Sequence, residues 1–428
     1  MLTTTYIREN KETVLQGLRI RNWTEDKLHI IDDILTADEA RKQAKTELDE
    51  MLAERNRLSK EIGGLFKQGK KEEAGELRAR VGTLKAEAEK IENNLKESSA
   101  SLEEMLLQVP NIPHPSVPAG NTDEDNEVYR EWEGDLPDLG ADAKPHWELA
   151  KDFQIFDMEL GVKIAGAGFI LYRKNGAKLQ RALINFFLDE ADRAGYEEVM
   201  PPHLVNEESA RGTGQLPDKE GQMYQMEKDD LYLIPTAEVP VTNILRGDII
   251  DEADLPVKFT GYTPCFRREA GSYGAHVRGL NRVHQFDKVE IVQAVHPDKS
   301  YACLDEMVEH VSGLLNKLEL PFRILRLCGG DTGFTSALTF DFESYSAAQK
   351  RWLEVSSVSN FETYQANRLK LRYRDAETKK THLAHTLNGS ALALARIVAT
   401  IIENNQTPEG IRVPKVLQAY MGGMTLLK

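Results

Sequence analysis

Cysteine is scarce in this sequence: Cys265, Cys303 and Cys328 are the only three among 428 residues, far apart and never in a Cys-x-x-Cys pair. An odd, scattered trio excludes a disulfide framework and a cysteine-type zinc site, and it fits a reducing compartment in which each thiol is a small buried hydrophobe. No zinc is expected. Long apolar runs are missing as well. None approaches the roughly 18 residues that a membrane helix needs, and Met1 to Arg21 is interrupted by charges, so it lacks the apolar centre of a secretory leader. A soluble, cytoplasmic protein is the expectation. Nowhere is there a Gly-x-Gly-x-x-Gly, a Gly-x4-Gly-Lys-Ser/Thr or a Gly-x-Ser-x-Gly, which removes support for dinucleotide-binding, P-loop and serine-hydrolase readings. Positive charge is short too. With 54 basic against 69 acidic side chains the formal net charge is -15, so any contact with nucleic acid must rest on a local patch.

What is there begins with length, enough for two or three domains and a large core. Residues 1–30 place Tyr6, Ile7, Val14, Leu15 and Leu18 at helical spacing, a small cap on the next element. From Ala37 the series Ala37, Ala40, Ala44, Leu48, Met51, Leu58, Ile62, Leu65 steps by three and four. After Gly63, Gly64 and Gly69 it resumes as Ala74, Leu77, Val81, Leu84, Ala88, Ile91, Leu95. Two heptad helices around a short glycine-containing turn predict a projecting antiparallel arm, each limb about 45 Å long. Between Arg55 and Lys85 the arm carries nine basic residues, Arg55, Arg57, Lys60, Lys67, Lys70, Lys71, Arg78, Arg80 and Lys85, against Glu61, Glu72, Glu73 and Glu76. A basic tip on an acidic protein favours a polyanion over simple dimerisation. Four prolines between Val109 and Glu127 mark a linker.

The stretch from Val257 to Val292 reads as a hairpin. A period of two puts His284, Phe286, Lys288 and Glu290 on one face of its second strand, and Arg267 and Glu269 share a face at the end of its first. If the two faces coincide, a cation, carboxylates and a flat ring converge, the mixture that a nucleotide needs for phosphate, exocyclic amine and base. The loop between holds Gly271, Gly274, His276, Arg278, Gly279 and Arg282. Elsewhere, Leu179, Leu183, Phe186 and Phe187 line one side of a helix that stops at Gly195, before a short strand, Tyr196 to Met200. Leu231 to Ile234 is a strand ending in Pro235-Thr236-Ala237-Glu238, where Thr236 and Glu238 would share a face or Thr236 would cap a turn. Strands at Thr339–Glu343 and Leu353–Val358 follow. In the second, strict alternation pairs Glu354 with Ser356, so a joint role for Glu354 and Ser357 requires a bulge. Leu387-Asn388-Gly389-Ser390 would open a helix striped with Leu394, Ile397, Val398 and Ile401; periodicity alone would leave its Arg396 in solvent.

Phe266-Arg267-Arg268-Glu269 with His284-Gln285-Phe286 resembles motif 2 of the class II aminoacyl-tRNA synthetases. The 179–202 segment resembles their motif 1, and Gly389-Ser390 with Arg396 resembles motif 3. The basic arm, Thr236-Ala237-Glu238 and the loop Gly212-Thr213-Gly214-Gln215-Leu216-Pro217 are similar to the serine-specific branch. The resemblance implies an α+β fold: an N-terminal antiparallel helical hairpin, the coiled-coil arm, plus an antiparallel β-sheet catalytic domain flanked by helices. Its boundaries would be a tRNA-binding domain over 1–108, a linker over 109–127 and a catalytic domain over 128–428. The implied activity joins L-serine to ATP as an adenylate and passes it to serine tRNA; selenocysteine tRNA stays open as a second acceptor. A homodimer and Mg²⁺ are implied with it. By the same resemblance Arg267, Glu269 and Arg396 are catalytic, and Arg267, Arg268, Glu269, Phe286, Glu354, Val355, Ser356, Ser357 and Arg396 hold ATP. Glu354 and Ser357 hold Mg²⁺, while Thr236, Ala237, Glu238, Glu290, Asn388 and Ser390 form the serine pocket. Two other classes stay open on the residues alone, amino-acid activation for a carrier protein and a non-enzymatic coiled-coil adaptor.

Overall fold

The computed structural model describes residues 1–219, 221–269 and 278–428; Gly271, Gly274 and His276 of the hairpin loop lie outside them. The chain forms two compact units, Met1–Arg19 with Trp23–Pro110, and Ile20–Asn22 with Asn111–Lys428.

In the first unit, two short helices, Thr4–Glu9 and Lys11–Ile20, precede the long helices α1 (Ile30–Lys67) and α2 (Lys71–Gln108), each of 38 residues. At 1.5 Å per residue each limb is about 57 Å, longer than expected. Gly63 and Gly64 stay inside α1, and the chain turns only at 68–70, where Gly69 adopts φ 79°. The seam buries Leu48 and Leu58 against Ala74, Leu84, Ala88 and Leu102. Nearer the start of α1 the heptad reading fails: Ala40 is exposed, and the buried series is Ile31, Ile34 and Asp38. Asp38 is tolerated there because Arg41 and Lys42 each approach it to 2.9 Å and Arg8 to 2.5 Å.

The second unit is built on an eight-stranded sheet. Its strands are β1 (Glu127–Arg130), β2 (Glu197–Glu198), β3 (Val257–Phe266), β4 (Gln285–Val295), β5 (Phe322–Arg326), β6 (Leu338–Ser346), β7 (Arg351–Glu362) and β8 (His385–Ala393). Their order is β1-β5-β6-β7-β8-β4-β3-β2. All neighbours are antiparallel except β2, which lies parallel to β3. Helices α3 (His146–Phe153), α4 (Lys174–Arg193), α5 (Glu238–Asn243), α6 (Ser300–Lys317) and α7 (Leu394–Asn404) flank it. Leu183 and Phe187 of α4, Met307 and Val311 of α6, and Ile397 and Ile401 of α7 share one apolar cluster with Val289 and Ile291 of β4. The odd-numbered face of β4 is therefore core, which leaves Phe286, Lys288 and Glu290 on the other.

Three local expectations change. Leu387 to Ser390 belong to β8, and the helix begins only at Leu394. The strand before Thr236 ends at Leu233, and Glu238 is the first residue of α5 rather than a strand neighbour of Thr236. The proline-rich segment after Val109 is tied down at its start: Asn111 donates from its backbone to the Phe334 carbonyl at 3.0 Å and from Nδ2 to Phe361 at 2.9 Å. Prolines lack an N–H for a regular ladder, so Asn111 supplies these bonds instead.

Candidate active site

The register of β3 on β4 decides whether the hairpin faces coincide. Gly261 stands opposite Glu290, Thr263 opposite Lys288 and Cys265 opposite Phe286. Odd residues of β3 thus share a face with even residues of β4, and that alternation carries Arg267 and Glu269 to the same side. The Arg267 guanidinium lies 5.3 Å from the Phe286 ring centroid and donates from Nε to the Pro235 carbonyl at 3.3 Å. Glu269, with a left-handed φ of 48°, pairs with Arg282 at 3.0 Å. Arg268, one residue out of phase, is exposed and points its guanidinium at Tyr224, 6.0 Å from that ring. It does not line the cavity. His284 also leaves the face: it stacks on Phe169 at 5.3 Å and bonds the Tyr224 hydroxyl.

This face floors a cavity of about 710 Å³. At one end two carboxylates are buried. Glu290 takes Lys288 Nζ at 2.5 Å and a hydrogen bond from Thr236 Oγ1 at 3.0 Å. Glu238 accepts from Gln365 Nε2 at 2.6 Å, and Thr386 fixes that amide by donating to its oxygen at 2.8 Å. Burial, then the charge of Glu290, pushes the Glu238 carboxyl up to about 7. Burial also raises Glu290, against the pull of Lys288. Two carboxylates with one ammonium are a cation short of balance, an environment that favours a ligand ammonium. Asn388 and Ser390 of β8 border the same end. The Ala237 side chain does not: it is fully buried with Val241, Leu245 and Phe259, because entry into α5 turns it into the core.

At the other end the expected bulge exists. Asp341 pairs with Ser357 and Phe342 with Ser356, but Glu343 pairs with Glu354, so Val355 is the extra residue in β7. Glu354, Val355, Ser356 and Ser357 consequently all reach the cavity wall. Arg396 reaches it too, held by Nε to the Asn281 carbonyl at 3.0 Å, Nη1 to the Glu354 carbonyl at 2.7 Å and an ion pair to the Glu354 carboxylate at 3.3 Å. Among the described residues no three His, Cys, Asp or Glu side chains form a protein-only metal cage. Mg²⁺ bound through substrate phosphates needs only one or two carboxylates, and the donors fit that case. Asp341 lies beside Glu354 and Ser357, its carboxyl pushed well up by burial and by the charge of Glu354, and its Oδ1 is buried without a partner among the described residues.

A model of the seryl-tRNA synthetase N-terminal domain matches residues 1–113, and one of the class II tRNA synthetase core domain (G, H, P, S and T) matches 222–405. A serine–tRNA ligase of Salinibacter ruber is 50% identical over 99% of this chain and 98% of its own length. That of Chloroherpeton thalassium is 46% identical over 99% of both. The chain belongs to the seryl-tRNA synthetase family. The crystal structure of seryl-tRNA synthetase from Pyrococcus horikoshii, complexed with ATP, superposes with a TM-score of 0.90 at 34% identity, covering 100% of this chain and 99% of that one.

Beyond the residues expected of a seryl-tRNA synthetase, the cavity recruits Lys288, whose alternation with Glu290 was the available signal. It also recruits the loop Gly333-Phe334-Thr335-Ser336, for which the sequence offers none. That loop is shaped from a distance: the half-buried Arg21 donates to the Thr332 carbonyl at 2.9 Å, to Gly333 at 3.2 Å and to Ser336.

Proposed function

We propose that this protein condenses L-serine with ATP and transfers the seryl group to serine tRNA, using the cavity above for both steps. The observation that carries the reading is the single face of β3 and β4. It carries the buried Glu290, Arg267 and the half-buried ring of Phe286, and Glu238 at the start of α5 adds a second buried carboxylate beside Glu290. An aminoacyl-adenylate has that sequence of groups: ammonium, phosphate, base.

In the first step a serine carboxylate oxygen attacks the α-phosphorus, the bond to the bridging oxygen of the β-phosphate breaks, and pyrophosphate leaves with the electron pair. No covalent enzyme intermediate is required, so the residues act by positioning and charge neutralisation. Arg267 holds the α-phosphate and serine carboxylate, Phe286 stacks on adenine, Glu269 accepts from its amine, and Arg396 meets the γ-phosphate. Thr236, Glu238 and Glu290 receive the serine ammonium and hydroxyl, with Asn388 and Ser390 closing around them. Glu354 and Ser357 would hold Mg²⁺, which neutralises phosphate charge when bound. In the second step a hydroxyl of the terminal ribose attacks the seryl carbonyl carbon and AMP leaves.

A buried carboxylate left unpaired by alanine, which lacks the hydroxyl, disfavours that analogue by about 1–3 kcal/mol per group. The basic half of the α1–α2 arm supplies the local patch for tRNA. The protein works as a cytoplasmic homodimer, each arm serving a tRNA on the other subunit, and selenocysteine tRNA is a second acceptor to assay. Serine-dependent ATP–pyrophosphate exchange followed by charging of serine tRNA tests the reading. Exchange without charging of any tRNA would favour a carrier protein as acceptor, and no exchange would reject it.

A further inference from the structure

Outside the cavity, Glu403 and His146 form a polar pair in which both side chains are fully buried. Glu403, at the end of α7, accepts at Oε1 from the His146 backbone N–H at 2.8 Å, from His146 Nδ1 at 2.6 Å and from Gln349 Nε2 at 3.0 Å; Ser346 donates to Oε2. That fixes the ring: Nδ1 carries the hydrogen, and Nε2 is left as an acceptor. The Nε2 acceptor is used, since the Leu280 backbone N–H donates to it at 2.8 Å. Leu280 and the next residue, Asn281, both line the cavity, and the Asn281 carbonyl is what Arg396 Nε grips. Gln349 closes the ring of contacts by accepting from Asn281 Nδ2 at 3.1 Å.

The approach leaves no spare room. Gly279 adopts φ 71°, and a Cβ there would fall 2.2 Å from His146 Nε2. Arg278, just before it, sits over the ring of Trp147 at 4.9 Å. The first turn of α3 is therefore a seat for 278–281, the limb by which the hairpin returns from its loop to β4.

We propose that His146, oriented by Glu403, is a positioning residue for adenylate formation: it seats Leu280 and Asn281 so that Arg396 is presented to ATP. This rests on the functional reading above. His146 touches no substrate, so its role must be separated from plain stability.

Asparagine in place of His146 reproduces the Nδ1 position and keeps a donor for Glu403, but it cannot reach Leu280. Glutamine reaches the Nε2 position and can accept from Leu280, but it leaves Glu403 without its side-chain partner on α3. Measured by ATP–pyrophosphate exchange alongside thermal denaturation, His146→Asn should raise KM for ATP at least fivefold and leave KM for serine within twofold. His146→Gln should stay within twofold of the parent for both, even where its Tm falls further. Gly279→Ala, which crowds the seat from the other side, should show the same ATP-selective rise and serves if His146→Asn does not fold. Equal behaviour of the Asn and Gln variants, or KM values that move together and follow Tm, would overturn the proposal while leaving parental exchange intact. Loss of serine-dependent exchange in the parent itself would instead reject the functional reading on which it rests.

Discussion

Glu290 owes its burial to Lys288 and Thr236, and removing it leaves a buried ammonium unpaired, a change that typically costs about 3–5 kcal/mol. Glu290→Ala is therefore expected to abolish serine-dependent ATP–pyrophosphate exchange; unchanged exchange would refute its place in the serine pocket. Glu238 gives a pH signature. Its folded-state value of about 7 lies above the ordinary 4.5, so the folded protein prefers the neutral acid. Its contribution to stability is complete below about pH 4.5 and is lost as the pH rises through 7. Glu238→Gln, which can still accept from Gln365, should raise the Tm of the ligand-free protein at pH 8 relative to the parent, with the gain vanishing near pH 5. A serine ammonium prefers the ionised form, so the parental KM for serine should fall several-fold between pH 6 and pH 8. A flat profile in exchange assays would show that Glu238 does not meet the ammonium.

The entry of α5 does two jobs with one hydroxyl. Thr236 Oγ1 accepts from the Glu238 backbone N–H at 3.2 Å and donates to Glu290 at 3.0 Å. Thr236→Val should lose about 1–2 kcal/mol of stability in urea denaturation, as capping losses do, and raise KM for serine. Thr236→Ser should do neither, and equal effects from the two would mean that the methyl matters rather than the hydroxyl. Elements of this kind also mark where sequence reading succeeds and fails. The β3–β4 face was legible because alternation is a local rule: Phe286, Lys288 and Glu290 follow it, and so does Arg268 in falling outside the wall. The Glu354–Ser357 bulge was legible as a requirement. Leu387 to Ser390 misled because β8 runs straight into α7, so apolar residues continue across the junction with no break at Leu392–Leu394 to mark it. Arg396 escaped the periodic pattern because its partners, Asn281 and Glu354, are over forty residues away, and Arg21 shaping the 332–336 loop is a still longer reach.

Across the whole molecule, charge divides the work. The cavity is built from carboxylates and arginines within the second unit, whereas the distal part of α1 and α2 is a net basic stretch on an acidic protein. Deleting 37–105 should therefore leave serine-dependent exchange within about threefold and reduce charging of serine tRNA at least a hundredfold, because the phosphate contacts of the arm supply tRNA affinity. Full charging by the truncated protein would assign the arm to something else. Every assignment depends on one cavity holding ammonium, phosphate and base at once. The most direct measurement is a crystal structure of the protein with a non-hydrolysable seryl-adenylate analogue. The account predicts the ammonium between Glu238 and Glu290, the phosphate mimic on Arg267, and adenine on the Phe286 ring with Arg396 beside it. An analogue bound elsewhere, or one with its base at the Glu290 end, would contradict it.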